Sequence, residues 1–265
     1  MTGTHLTDAL TLLASGDLTV EGRLADASNA TLYCTVCLDG LEAACVYKPV
    51  AGERPLWDFP DGTLAQREVA AYTVSEASGW HVVPPTVLRD GPFGRGMCQL
   101  WIEAEEPDDL VDVLPQGQVP PGWLAVVDAL GGGGRPVTLA HADDERLRRI
   151  AVLDAVINNA DRKGGHLLPT ADDAVYGVDH GVSFNVDDKL RTVLWGWAGD
   201  PLAEEEREVV GRLAADLDGP LGERLAPLLT KAEIRRTARR ARRLADRATY
   251  PLPGKGWPAI PWPPF

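Results

Sequence analysis

Residues 157–168 read INNADRKGGHLL, and residues 176–184 read YGVDHGVSF. The first stretch ends the run DDERLRRIAVLDAVINN, in which Leu147, Ile150, Ala151, Leu153, Ala155 and Ile157 fall toward one side, as an amphipathic helix requires. Two short β-like runs follow, HLLP and AVYGVD, separated by the turn TADD. The polar groups thus stand between segments built for a core. Asp161 begins a loop at the end of a buried helix, where a carboxylate can face a cleft and accept a hydroxyl proton. His166 offers a nitrogen at the start of the first short strand, and Asp179 follows the second, with His180 and Gly181 after it.

Upstream, residues 18–49 predict a small antiparallel sheet. LTVEGRL, TLYCTVCL and LEAACVYKPV are strands, ADASNA is a polar tip, and Asp39-Gly40 is a hairpin turn. From Thr63 the spacing changes to a helix, TLAQREVAAYTVSEASG, with Thr63 and Gln66 as a capping-box pair and Gly79 as its stop. PPTVLRD and GMCQLWIE form a further strand pair around DGPFGRG. Residues 1–102 are therefore expected as one lobe, a sheet plus one helix. Acidic, Pro-rich and Gly-rich pieces at 103–143 predict a hinge and linker insertion, with WLAVVDAL as a short helix inside it. The tetraglycine at 131–134 is a flexible connection rather than a phosphate loop, since no Lys-Ser or Lys-Thr follows. Residues 144–250 form a mainly helical second lobe. Residues 251–265 are a Pro-rich tail, expected to pack extended on the surface, with a Pro-rich partner motif as the alternative.

A chain of 265 residues, 45% hydrophobic, can bury a core without disulfides or metal staples. Its net charge of −13 argues against general nucleic-acid binding, which needs a basic surface. Seven arginines between Arg235 and Arg247 depart from that average. They make either a solvated helix face paired with the acidic remainder or a docking site for an acidic partner. The N-terminus lacks a basic region before an apolar core, and no window approaches a membrane span, so a cytoplasmic protein is expected. Cys34, Cys37, Cys45 and Cys98 are expected as buried, reduced thiols. The C-x-x-C at 34–37 lies in an alternating strand that sends its two side chains to opposite faces, and no second pair completes a zinc site.

A sheet lobe joined to a helical lobe implies a cleft, and the order of polar groups along the chain fits one chemistry. Lys48 closes the third strand, and Glu68 lies in the following helix. Such a pair can hold an ammonium toward nucleotide phosphates. Asp161, His166 and Asp179 follow in the order in which kinases place a base and two metal-holding groups around a nucleotide.

Through VYKP, QREVAAY, QLWIE, NNADRKGGH and GVDHGVSF, in that order, the sequence resembles the phosphatidylinositol 3-/4-kinase-like superfamily. It is closest in kind to compact actinobacterial members related to it and to the HipA kinases. The resemblance covers residues 18 to 250. It implies an α+β, two-lobed protein-kinase-like fold that binds ATP with magnesium or manganese. By position, Lys48 would contact phosphates and Glu68 would orient it. Backbone groups of Gln99, Leu100, Trp101 and Ile102 would read adenine. Ser28 and Asn29 would cover the phosphates from the hairpin tip. Asp161 would be the catalytic base, with Arg162 and Lys163 beside it, and His166 and Asp179 would hold metal.

Lipid kinases of that superfamily show D-R-H-x-x-N, where this chain has Lys163 at the third position and His166 at the sixth. Imidazole is a poorer magnesium ligand than an oxygen, so His166 favours manganese or weakens one metal site. Lys163 could hold the transferred phosphate. The implied activity is transfer of the γ-phosphate to a hydroxyl, on protein Ser or Thr including the kinase itself. The alternatives are a lipid or small-molecule kinase, a nucleotidyl transferase, and a nucleotide-binding pseudokinase that serves as a scaffold.

Overall fold

The computed structural model describes residues 3–24, 30–54, 56–59, 63–105, 110–256 and 258–265. Helix α1 (Gly3–Ser15) precedes the sheet, an element the sequence reading left out. Its Leu12 and Leu13 are buried against the strands. The Arg89 guanidinium donates to the carbonyls of Leu13 and Gly16 at 2.9 and 2.8 Å, supplying donors to the helix end.

Strands β1 (Asp17–Arg23), β2 (Leu32–Leu38), β3 (Leu41–Pro49), β4 (Thr86–Gly91) and β5 (Gly94–Leu100) form one antiparallel sheet in the order β1-β2-β3-β5-β4. Asp39 and Gly40 turn β2 into β3 with φ of 51° and 82°, the doubly left-handed turn that matches strand twist. Alternation buries Cys34 and exposes Cys37, so the expectation of four buried thiols fails at Cys37. Cys45 and Cys98 are buried beside Cys34.

Helix α2 (Leu64–Ser78) stops at Gly79 in the left-handed conformation. Its start differs from the capping box expected of Thr63 and Gln66. Thr63 makes no side-chain cap, and the Glu53 carboxylate accepts from the amides of Leu64 and Ala65 at 3.1 and 2.8 Å instead. A carboxylate there satisfies two orphan donors and complements the helix dipole. Thr63 Oγ1 is instead turned to the Arg67 guanidinium.

Residues 103–143 contain a second antiparallel sheet, β6 (Val111–Pro115), β7 (Trp123–Leu130) and β8 (Pro136–Ala142), in the order β6-β8-β7. WLAVVDAL is thus a strand rather than the expected short helix. Val126 and Val127 are β-branched, and pairing along β8 overrides the weak helical spacing. The tetraglycine makes the β7-to-β8 turn, with Gly133 and Gly134 at positive φ.

The helical layer comprises α3 (Glu145–Ile157), α4 (Glu204–Asp216), α5 (Pro220–Leu225) and α6 (Lys231–Arg247), with the hairpin β9 (Leu167–Pro169) and β10 (Val175–Gly177) between α3 and α4. Asp144 caps α3 through the Arg146 amide, and Asn158 ends it in the left-handed conformation. Thr230 and Glu233 form the reciprocal capping box of α6.

Two cores result. The smaller joins Leu12, Leu13, Cys34, Val36, Cys45, Tyr47 and Cys98. The larger joins α3, α4, α5 and α6, and it also takes Ala70, Ala71, Tyr72 and Val74 of α2. Arg67 of α2 pairs with Glu233 of α6 and donates to the Ser183 carbonyl at 2.6 Å. Among the described residues no helix is long and apolar enough to cross a membrane.

Candidate active site

A cleft of about 760 Å³ opens between the first sheet and the helical layer. Lys48, Gln99 to Ala104, Asp161, Lys163, His166, Asp179 and Phe265 are among the residues that line it. That volume suits a nucleotide-sized ligand.

Lys48 is the centre of the sheet-side half. Its Nζ lies 2.8 Å from Glu68 Oε1 and 2.9 Å from Asp179 Oδ1. Burial disfavours its charge, yet the Asp179 and Glu68 carboxylates outweigh that and hold it protonated. Glu68 is itself buried, and its second oxygen accepts from the His180 amide at 2.8 Å. The Lys48 ammonium keeps Asp179 well below the usual carboxylate range, and half of the Asp179 side chain stays open to the cleft. Asp179 sits at φ 60°, a left-handed position that Asp tolerates better than most residues.

Asp161 and Lys163 form the opposite wall. The Asp161 amide donates to Asn159 Oδ1 at 3.0 Å, which fixes the loop, and Lys163 Nζ stands 3.9 Å from the Asp161 carboxylate. Burial pushes the Asp161 carboxyl up, and the Lys163 charge opposes that only in part. His166 Nε2 lies 3.5 Å from Asp179 Oδ2. Burial pushes the His166 imidazole down to about 4, so it is neutral near pH 7 with one nitrogen lone pair free to ligate. Its Nδ1 is buried without a hydrogen-bond partner.

Arg162, expected beside Asp161 as a structural or charge-balancing neighbour within the catalytic set, stands outside the cleft. It is fully buried beneath the loop. Its guanidinium spans Asp154 at 2.8 and 3.0 Å, donates to the carbonyls of Val178 and His166 at 2.7 and 3.3 Å, and meets His180 Nε2 at 2.7 Å. With Arg162⁺ as an obligate donor, His180 Nε2 accepts, and burial keeps that ring neutral. Arg162 therefore ties the helix, the Asp161 loop and the strand leading to Asp179 into one unit. Asp154, Asn159 and His180 complete this support, and the sequence reading missed all three. The available signal was an Asp on the apolar side of α3.

The stretch Gln99–Ile102 does border the cleft, but two of its amides are already committed. Leu100 N–H donates to Pro85 O at 2.9 Å and Trp101 N–H to Ala44 O at 3.0 Å, while the buried Gln99 side chain donates to Thr86. A backbone N–H that reads a base would come from further along, from Ile102 to Ala104, with carbonyls of the stretch still able to accept. Ser28 and Asn29 lie outside the described residues. On α6, Asp188 pairs with Arg236, Arg240 and Arg243, and Asp218 pairs with Arg242, so much of the arginine face is matched within the chain.

A sheet-borne Lys48 paired with the buried Glu68 and with Asp179, in one cleft with Asp161, fits a protein-kinase-like fold. In keeping with that, the structure of a Golgi casein kinase superposes with a TM-score of 0.55 at 13% identity, over 96% of this chain and 80% of that one. A second Golgi casein kinase structure, with Mn/ADP bound, gives 0.55 at 13% identity over 94% of this chain and 76% of that one. No family model matches the sequence. The chain is 53% identical over 267 residues to Protein Rv2133c of Mycobacterium tuberculosis, covering 97% of this chain and 96% of the relative, and it belongs to that protein's family.

Proposed function

We propose that this protein is an ATP-dependent kinase that transfers the γ-phosphate to a hydroxyl, on Ser or Thr of a protein, its own chain included. The observation that carries this reading is Lys48 held between Glu68 and Asp179 in one cleft with Asp161. The motif resemblance to the phosphatidylinositol 3-/4-kinase-like and HipA groups supports the same reading, as does the kinase fold.

The residues divide the work as follows. Lys48 neutralises phosphate oxygens, with Glu68 fixing its ammonium. Asp161 accepts the hydroxyl proton as the acceptor oxygen bonds to the γ-phosphorus and the bond to the β–γ bridging oxygen breaks, releasing ADP. Lys163, in the cleft beside Asp161, would hold the transferred phosphoryl oxygens. A divalent ion fits the donor set of this chain, because the half-open Asp179 carboxylate and the neutral His166 imidazole face one another. They would hold it, and when bound it would neutralise charge on the transferring phosphates. The mixed oxygen and nitrogen pair favours manganese over magnesium. The exposed arginines Arg235, Arg239 and Arg247 are the part of α6 that would receive an acidic partner.

Intact-mass measurement after incubation with ATP and either metal tests the proposal, with Asp161→Ala alongside. A gain of one phosphoryl mass in the parent alone is expected. A gain of the mass of AMP would reassign the reaction to nucleotidyl transfer. ADP binding with no gain on the chain itself or on a panel of Ser- and Thr-centred peptides would leave a nucleotide-binding scaffold.

A further inference from the structure

The tail does more than cover the surface. Ala259 O accepts from the Thr192 amide at 3.1 Å and from Trp195 Nε1 at 2.9 Å, and Ile260 O accepts from Arg191 at 3.4 Å. Residues 191–193 in turn bracket the Asp161 loop. Arg191 N–H donates to Asn159 O and Arg162 N–H to Arg191 O, both at 3.0 Å, while Val193 N–H donates to Arg162 O at 3.1 Å. Further along, Pro264 O accepts from the Gly164 amide at 2.8 Å, and the Phe265 ring lies directly on Gly164. A Cβ at residue 164 would stand 2.4 Å from that ring. The first glycine of the pair Gly164-Gly165 is thus explained by the tail, whereas a Cβ at Gly165 would meet open space.

Gly164 opens the short turn Gly164–His166 that carries the His166 imidazole, and Phe265 also lines the cleft. The tail therefore grips the Asp161 loop at both ends, through residues 191–193 on one side and Gly164 on the other. We propose that residues 258–265 are a strap that positions the metal-facing side of the site, with Pro264 and Phe265 as positioning residues that hold the turn so that His166 faces Asp179. This rests on the nucleotide-binding reading above. It adds to that reading a role for a segment remote in sequence from every motif of the site. Groups that orient a metal ligand typically change metal affinity by about 10- to 100-fold when removed.

Calorimetric titration with ADP, with and without manganese, separates the possibilities. The parent is expected to bind ADP more tightly with manganese. Gly164→Ala, which displaces the ring, is expected to weaken manganese-dependent ADP binding about tenfold and metal-free ADP binding much less, and Phe265→Ala, at a residue that itself borders the cleft, to lose more with manganese than without it. Phe265→Leu keeps most of the enhancement. An equal manganese enhancement in Phe265→Ala and the parent overturns the proposal. So does an equal loss with and without metal, which would make Phe265 a nucleotide contact. Loss of folding in Phe265→Ala also overturns it, by assigning the ring to stability alone. A parent that binds no ADP under either condition would sink the nucleotide-binding reading itself.

Discussion

Asp154→Ala is the change that tests how the site is held. Asp154 and Arg162 are both fully buried, and all five guanidinium N–H groups are used, two of them on Asp154. Removing one partner of a buried ion pair costs about 3–5 kcal/mol. Arg162 would keep two carbonyls and the His180 nitrogen, so the lower end applies, about 3 kcal/mol. For a chain of this size that corresponds to a fall in Tm of roughly 6–12 °C. Asn159 also loses its 2.9 Å bond to Asp154, so the loop bearing Asp161 loosens as the fold weakens. Thermal and urea unfolding measure the first effect, and titration with ADP and manganese the second. The companion variant Asp154→Leu with Arg162→Met removes both charges and is expected to recover most of the stability. It should still bind ADP and manganese weakly, because Val178 O and His166 O lose their donor. If Asp154→Ala unfolds within about 1 kcal/mol of the parent, or if the two single losses simply add in the double variant, the buried pair is not the unit described.

Three further outcomes follow from the geometry. Because burial raises the Asp161 pKa, the rate should fall on acidification at a higher pH than an ordinary carboxylate gives. Asp161→Asn should remove that limb, lower kcat about 10²- to 10⁴-fold and leave ADP binding unchanged. For stability the sign is opposite. A folded-state pKa above the unfolded value contributes stability that is present at low pH and lost as pH rises through the raised value, so Asp161→Asn should have the higher Tm at pH 7 and no advantage in acid. Glu53→Ala removes the acceptor of two α2 amides and should lower stability by about 1 kcal/mol, a Tm shift of roughly 2–4 °C by scanning calorimetry, without altering ADP binding.

The sequence carried the elements whose signals are local. Asp39-Gly40 specified its hairpin, Gly79 its helix end and the 3.6 period α3, because each depends on a few neighbouring residues. Lys48 and Glu68 were legible from a strand followed by a helix, and Asp161 and Asp179 from their places just past a helix and just past a β-run. What escaped depends on partners distant in the chain. Glu53 caps a helix eleven residues away, which no capping pattern anticipates. WLAVVDAL could not declare itself a strand until β8 paired with it. Arg162 was legible as a neighbour of Asp161, but its partners Asp154 and Val178, which draw it into the interior, were not. Phe265, the residue furthest from the motifs, had no signal apart from the glycine it covers.

The membership of α2 in the larger core bears on how the chain can be divided. By order α2 belongs with the five-stranded sheet, yet its Ala70, Ala71, Tyr72 and Val74 are packed among the helices of the second half. A fragment cut after residue 102 would keep α2 on β4 and β5 but uncover the part that meets α4 and α5, and the complementary fragment would lack one wall of its interior. On that packing neither half is expected to fold alone, although each owns a core. Fragments should be recovered as a complex when expressed together and not separately, and a fusion or insertion should be tolerated at the exposed glycine turn between β7 and β8.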